Sequence, residues 1–219
     1  MIPKIIHYIW LGSKIPFRVN KLINNNKTHT PDYLVKIWTE ENLPNLNNFA
    51  EEAFNKKNWA FVSDYVRFVT LYNYGGIYLD TDQKLLKNID ELLKYSFFAG
   101  KNKEGTHIYT GIVGSVPKSK FIKKIKKEYD ILKYSKKQSS PIVLTRCYKN
   151  FSKKSELKIF DFNYFYPVQA GEFRKKINEN AFSTHLWDES WVNFVFLRRL
   201  LRWTGIMKIY HSVRRFWNE

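Results

Sequence analysis

Two aspartates one residue apart, Asp80 and Asp82, close the short apolar run Ile77-Tyr78-Leu79. Side chains alternate along a strand, so both carboxylates are expected to point one way, with Thr81 opposite. Carboxylates held together repel unless a cation sits between them, which makes a divalent metal the natural third member of the site. Oxygen donors favour Mg2+ or Mn2+ over zinc, and a histidine in the shell tilts the choice toward Mn2+. Upstream, Asp64 and Arg67 stand three residues apart in an apolar helical pattern and so share one face, where two charges need each other or a ligand. A buried salt bridge that fixes the helix and a contact with a ligand are both open. Far downstream, the segment from Ala181 to Trp191 gathers His185, Trp187, Asp188, Glu189, Ser190 and Trp191. The His185 imidazole would complete a coordination sphere started by Asp82, with Asp188, Glu189 or Ser190 as alternatives and a purely structural histidine as the plain reading.

The elements that must hold these groups are legible from periodicity. Apolar residues recur at helical spacing from Ala60 to Tyr72, Gly75-Gly76 ends that helix, and Ile77 to Leu79 leave it as a strand. Ile5, Ile6, Tyr8, Ile9 and Trp10 form a nearly continuous apolar run ending at Leu11-Gly12, as in a buried strand of a parallel sheet. Within it, His7 reads as a satisfied core histidine. A helix is expected over residues 16–26, a strand over 33–38 and a further helix over 46–55. Residues 97–99 and 108–113 read as strands, and Gly111 and Gly114 mark a turn or a close backbone approach. From Lys118 to Lys137, Phe121, Ile122, Ile125, Tyr129 and Leu132 keep helical spacing among nine lysines, giving a basic amphipathic helix: a solvated surface helix or one that meets anionic membrane. Ser140-Pro141 looks like a helix start; the aromatic stretch 160–167 has no assignable role. Alternating strands and helices predict an α/β, Rossmann-like fold, a mostly parallel mixed sheet with helices on both faces and ligands beyond the carboxyl ends of the strands, where Trp10 stands. The first strand is followed by no glycine-rich dinucleotide fingerprint, which argues against nicotinamide cofactors.

Ser63-Asp64, Arg67, Tyr74-Gly75-Gly76-Ile77-Tyr78 and Asp80-Thr81-Asp82, with the N-terminal run from Ile2 to Gly12, resemble the DXD-containing glycosyltransferases of family 32, which include capsular polysaccharide synthesis proteins and yeast-type mannosyltransferases, with glucosylating bacterial toxins as distant relatives. The resemblance implies a GT-A fold and metal-dependent, retaining transfer from a nucleoside-diphosphate sugar to a glycan or lipid-linked glycan. It implies Asp64, Arg67, Asp80 and Asp82 as catalytic residues, and Trp10, Gly76, Tyr78, Ser190 and Trp191, with Asp64, Arg67 and Asp80, as contacts of the nucleotide-sugar. Asp80, Asp82 and His185 would hold the metal. Many family members carry two histidines near the C-terminus, where this chain has one.

The chain of 219 residues has room for one well-buried core, expected over residues 1–191, followed by a tail over 192–219. Its formal net charge is +17: residues 1–100 hold 12 basic and 10 acidic side chains, residues 101–219 hold 25 and 10. Such a surface attracts nucleic acid, anionic lipid or phosphorylated substrates. No nucleic-acid motif accompanies the lysines, so no specific nucleic-acid partner is expected. In the tail, arginines alternate with Trp203, Phe216, Trp217 and aliphatic residues, which suits an anionic membrane surface. One cysteine, Cys147, rules out an intrachain disulfide. Without a signal-peptide pattern or a long apolar run, the expectation is a cytoplasmic protein held at the inner face of a membrane. The competing reading is a basic nucleic-acid- or membrane-binding protein without catalysis. An aspartate-nucleophile phosphatase fits poorly, since its nucleophile belongs on an early strand followed by a flexible loop.

Overall fold

A computed structural model describes residues 1–169, 172 and 177–187. In chain order the elements are β1 (Ile5–Ile9), α1 (Phe17–His29), β2 (Leu34–Trp38), α2 (Asn48–Asn55), α3 (Trp59–Tyr74), β3 (Gly76–Leu79), β4 (Gln83–Leu85), a 3-10 helix (Asp90–Lys94), β5 (Phe97–Lys101), β6 (Ile108–Ser115), α4 (Lys120–Ile131), α5 (Ser140–Lys149), a 3-10 turn (Lys154–Glu156), β7 (Lys158–Phe160), α6 (Phe162–Phe165) and β8 (Ser183–His185). Six strands form one sheet in the order β2-β1-β3-β6-β5-β7, and β4 pairs with β8 in a separate ribbon. β2, β1 and β3 run parallel, β6 is antiparallel to both its neighbours, and β7 is parallel to β5. Five strands therefore share a direction and β6 alone opposes them.

Alternation along the strands divides the core between the two faces of the sheet. Ile9, Tyr78, Phe97, Ala99 and Val113 face the cluster built by α2, α3, α4 and α5. Ile6, Tyr8, Ile77, Leu79, Phe98 and Ile112 face the cluster that includes Val19 and Ile23 of α1 and Phe165 of α6. Helix α3 is the spine of the first layer: Val62, Val66, Phe68 and Leu71 are fully buried, each worth roughly 1.5–3 kcal/mol relative to exposure. Asn47 caps α2 by accepting from the Ala50 amide at 3.1 Å, and Pro141 stands in the first turn of α5.

The lysine-rich helix α4 docks Phe121, Ile122, Ile125 and Tyr129 on the core. Most of its apolar face is spent inside the domain, which leaves chiefly lysines on the outer side, with Asp130 and Ile131 among them. Gly111 and Gly114 lie within β6, not at a turn, and both mark close approach: a Cβ on Gly114 would strike the Phe98 ring. His7 is buried and neutral, since Trp38 Nε1 donates to its Nδ1 at 3.1 Å and its Nε2 donates to Gly75 O at 2.8 Å; burial lowers its pKa to about 4. Among the described residues, no helix is long and apolar enough to cross a membrane. The expected tail over 192–219 lies outside the described residues, as do Asp188, Glu189, Ser190 and Trp191.

Candidate active site

The carboxyl ends of β1 and β3, the first turns of α3, the start of β6 and the N-terminus of α5 surround a cleft of about 540 Å³. Strand β3 ends at Leu79, and residues 80–82 form a turn closed by the Gln83 amide on Asp80 O at 2.9 Å. The strand was expected to run into the carboxylates; the turn replaces it and still aims both at the same neighbour. That neighbour is His185 on β8, whose Nε2 lies 3.2 Å from Asp82 Oδ1 and 3.6 Å from Asp80 Oδ2. Pairing of β4 with β8 sets Gln83 against His185, which is how a residue so distant in sequence reaches the turn. One ligand atom from each of Asp80, Asp82 and His185 falls within 4.8 Å of the others.

Charge tells the same story as distance. Burial pushes the Asp80 carboxyl up, but Arg67 and His185 outweigh it and hold it below the ordinary carboxylate range. Burial raises Asp82 against the pull of His185, with Asp80 adding repulsion. Burial lowers His185, yet Asp82 and Asp80 prevail and raise it. His185 thus ties the two carboxylates together, pulling on each and raised by both, while Arg67 acts on Asp80 from the other side. Two carboxylate oxygens and one imidazole nitrogen fit Mg2+ or Mn2+. His185 Nδ1 accepts from the Trp187 amide at 3.1 Å. An ion on Nε2 would need the proton on Nδ1 and that amide turned away.

Asp64 and Arg67 line the same cleft but are bonded to the protein on nearly every side. Arg67 Nη2 lies 2.9 Å from Asp64 Oδ1. Arg67 Nη1 donates to Thr110 O at 2.9 Å and Thr110 Oγ1 at 3.0 Å, and Nε donates to Ser63 O at 3.1 Å. Thr110 Oγ1 stands 2.8 Å from Ser140 Oγ, Ser140 Oγ donates to Asp64 Oδ1, and the Ser140 amide at the start of α5 donates to Asp64 Oδ2 at 2.9 Å. The buried salt bridge is formed, and it ties α3 to β6 and α5. Burial pushes the Asp64 carboxyl up, and Arg67 with the two Ser140 donors pull against that. Arg67 also reaches Asp80 Oδ1 at 3.4 Å, next to the Tyr78 hydroxyl that donates to the same oxygen at 2.6 Å. Asp80 thus has one oxygen held by Arg67 and Tyr78 and the other turned to the cluster.

Of the remaining expected contacts, Trp10 and Tyr78 line the cleft. Gly76 does not: it opens β3 at the end away from the carboxylates, with a φ of 95° and the Ile5 carbonyl oxygen 2.5 Å from where a Cβ would sit. Glycine is required there by backbone packing, not by a ligand. Ser190 and Trp191 lie outside the described residues. The cleft also has members that sequence reasoning missed, among them Trp59, Thr110, Ser140, Tyr166 and Trp187. Ser140 carried a local signal as the start of a helix, and Trp187 as a member of the 181–191 cluster; nothing local says that the Ser140 amide and hydroxyl serve Asp64.

Residues 16–99 match the family described as "Glycosyltransferase sugar-binding region containing DXD motif". An uncharacterised glycosyltransferase of Acanthamoeba polyphaga mimivirus is 34% identical over 128 residues, 53% of this chain and 51% of that protein. A mannosyl phosphorylinositol ceramide synthase of Saccharomyces cerevisiae is 30% identical over 150 residues, 63% of this chain and 37% of its own length. The chain thus spans about half or less of these relatives. Among solved structures, the PaToxG glycosyltransferase superposes with a TM-score of 0.58 at 19% identity, over 68% of this chain and 70% of that one. The galactosyltransferase LgtC, in complex with donor and acceptor sugar analogues, gives 0.50 at 14% identity over 88% and 91%. These likenesses establish the GT-A fold. With the DXD segment placed at the mouth of that fold, residues 16–99 carry the likeness of this chain to the DXD-containing glycosyltransferases.

Proposed function

We propose that this protein is a metal-dependent, retaining glycosyltransferase that moves a hexose or N-acetylhexosamine from a nucleoside-diphosphate sugar to a membrane-associated acceptor. The observation that carries the reading is the convergence of Asp80, Asp82 and His185 on one point at the floor of a cleft beyond the carboxyl ends of β1 and β3. Asp80, Asp82 and His185 would hold Mn2+ or Mg2+, which when bound supplies the positive charge that stabilises a departing nucleoside diphosphate. Arg67 and Tyr78 hold Asp80 in one orientation, so that a single oxygen faces the ion. Trp10 and Trp59 offer indole faces at the end of β1 for the base. Asp64 and Arg67 keep the floor rigid through their ring of hydrogen bonds, and the remaining edge of the pair is where sugar hydroxyls would be read.

The acceptor is assigned from charge and from the names of relatives. The strongly basic chain suits an anionic acceptor or the surface that carries it, whether a capsule or O-antigen intermediate or a lipid. Three Schizosaccharomyces pombe relatives are named inositol phosphoceramide mannosyltransferases, which makes mannose and an inositol-phosphate lipid a pair to test early. The basic tail over 192–219 would hold the enzyme at the cytoplasmic face of the membrane. Thermal stabilisation by a panel of nucleoside-diphosphate sugars, each with Mn2+ and with chelator, tests the donor half without a known acceptor. A Mn2+-dependent shift with one donor is expected; no shift with any donor in cooperatively melting protein would sink the reading.

A further inference from the structure

The exposed apolar residues are not spread evenly over the surface. Among the described residues seven large apolar side chains are exposed, and four of them, Phe17, Ile131, Ile142 and Leu186, stand at the end of the sheet that bears the cleft. Phe17 opens α1 beside Arg18, which is close enough to pull on Asp82. Leu186 follows His185, with its amide on Asp82 O at 2.9 Å. Ile142 lies in the first turn of α5, next to Ser139, Ser140 and Pro141 on the cleft wall. Ile131 ends α4 and is 78% exposed.

Topology brings Ile131 to that end. Strand β6 finishes at Ser115, opposite Gly76 at the far end of β3, so α4 runs back toward the cleft. The connection over 132–139 then delivers the chain to the cleft wall at Ser139. Its Tyr134 packs on the lining residue Phe61, with 5.6 Å between ring centroids, and Lys56 Nζ lies 5.0 Å from the centre of the Tyr134 ring. The corner between α2 and α3 and the connection after α4 therefore form one lip of the mouth.

That lip is basic. Residues 123–137 hold seven lysines against Glu128 and Asp130, and Lys56 and Lys57 stand at the same corner. Both acids are engaged: Glu128 Oε1 lies 2.9 Å from Arg146 Nε, and Asp130 Oδ1 accepts from Asn47 Nδ2 at 3.2 Å. Among the described residues, Lys57, Lys127, Lys133, Lys136 and Lys137 stand in no salt bridge. On α4, Lys124 and Lys127 precede Ile131 by seven and four residues, so the three share one stripe. A single exposed isoleucine is ordinary on a protein surface. Exposed apolar residues gathered at one end, with lysines around one of them, fit an anionic lipid surface, where ammonium groups meet phosphates and the aliphatic side chain enters the acyl boundary. A nucleic acid would use the lysines and leave Ile131 in water.

We propose that the folded domain carries its own membrane contact, the lip of Lys56, Lys57 and residues 131–137, which seats on anionic lipid headgroups and turns the cleft mouth toward the leaflet. The inference deepens the proposed function and rests on its membrane-associated acceptor. It adds to the tail a second contact, one that sets orientation.

Ile131→Cys in the full chain, labelled with a polarity-sensitive fluorophore, reads this contact separately from the tail, because Cys147 is buried. Leu34→Cys, exposed at the start of β2 and so at the far end of the sheet, is the reference. Vesicles containing phosphatidylglycerol are expected to shift the emission at 131 to the blue and to leave that at 34 unchanged. Vesicles of phosphatidylcholine alone should shift neither. Lys133→Gln, Lys136→Gln and Lys137→Gln together should weaken the partition read at 131 roughly 100-fold, about fivefold for each lysine, with the donor-dependent thermal shift unchanged. No shift at 131, whether or not the protein pellets with the vesicles, would overturn the proposal, as would equal shifts at 131 and 34. An equal shift with soluble polyphosphate would overturn the lipid assignment. Failure of every donor to stabilise the protein, with the vesicle result intact, would sink the transferase reading and leave the lipid contact standing.

Discussion

Two buried polar clusters share the floor of the cleft, and Arg67 touches both. In the first, Arg67, Thr110, Ser140 and Asp64 pass hydrogens around a closed ring, and the Ser140 amide meets the remaining carboxylate oxygen. In the second, Asp80, Asp82 and His185 turn ligating atoms toward one another. The ring is complete in itself, so its charges fix where three elements sit. The second cluster sets two mutually repelling carboxylates against the His185 imidazole, an arrangement that would suit the cation proposed above. Burial and charge are alike in the two; what separates them is whether each lone pair already has its hydrogen.

The sharpest way to break this comparison is Asp82→Ala. Transfer should fall roughly a thousandfold or more, as several kcal/mol of transition-state stabilisation leave with the ion. The metal-free melting temperature should hold or rise as carboxylate repulsion is relieved. Full activity in a steady-state assay would remove the metal assignment. Arg67→Met should behave in the opposite way, costing about 3–5 kcal/mol in urea unfolding because Asp64 is left buried without its partner. A loss below about 1 kcal/mol would put Arg67 with the open cluster and not with the ring.

His7 tests the same distinction away from the cleft, since its two nitrogens are already satisfied in the neutral form. Its folded pKa of about 4 lies below the ordinary 6.5, so the unfolded chain takes up the proton first as pH falls. The stability it contributes is present above pH 6.5 and is lost between there and pH 4, about 3 kcal/mol in all. His7→Gln should flatten that part of the unfolding profile measured by circular dichroism. The smallest effect is expected for Ser140→Ala, which opens the ring at one hydroxyl and keeps the amide: about 1–2 kcal/mol in the same assay. An unchanged midpoint would show that the amide alone suffices for Asp64.

Much of the frame was written in local pattern. The apolar run at β1, the helical spacing of α3, the glycine pair and the strand before Asp80 each depend on near neighbours, and each formed within a few residues of where periodicity put it. The cluster at 181–191 offered His185 and the family resemblance supported it; it stands beside Asp82. Partners brought together by the sheet were not legible, because no spacing rule links Thr110 or Ser140 to Asp64, or Gln83 to His185. Gly76 was expected at the ligand from the family resemblance, while its φ and the Ile5 carbonyl place it at the opposite end of the strand. The α4 pattern was read correctly as amphipathic, but periodicity cannot say what an apolar face will cover.

The reversal of β6 has a consequence for how such a protein diversifies. Because β6 opposes β5 and β3, the connection over residues 102–107 emerges beside the cleft and not at the far side of the sheet. That connection is braced mostly from within, since Asn102 Oδ1 accepts from the His107 amide at 2.8 Å and Asn102 Nδ2 donates to Thr106 Oγ1 at 2.9 Å, with Lys103 Nζ reaching Glu172 Oε1 at 3.7 Å. It can lengthen or change sequence while the Asp80 amide stays fixed to Gly111 O at 2.8 Å. For the proposed transferase, this hairpin is where acceptor selectivity would vary without disturbing the carboxylate cluster.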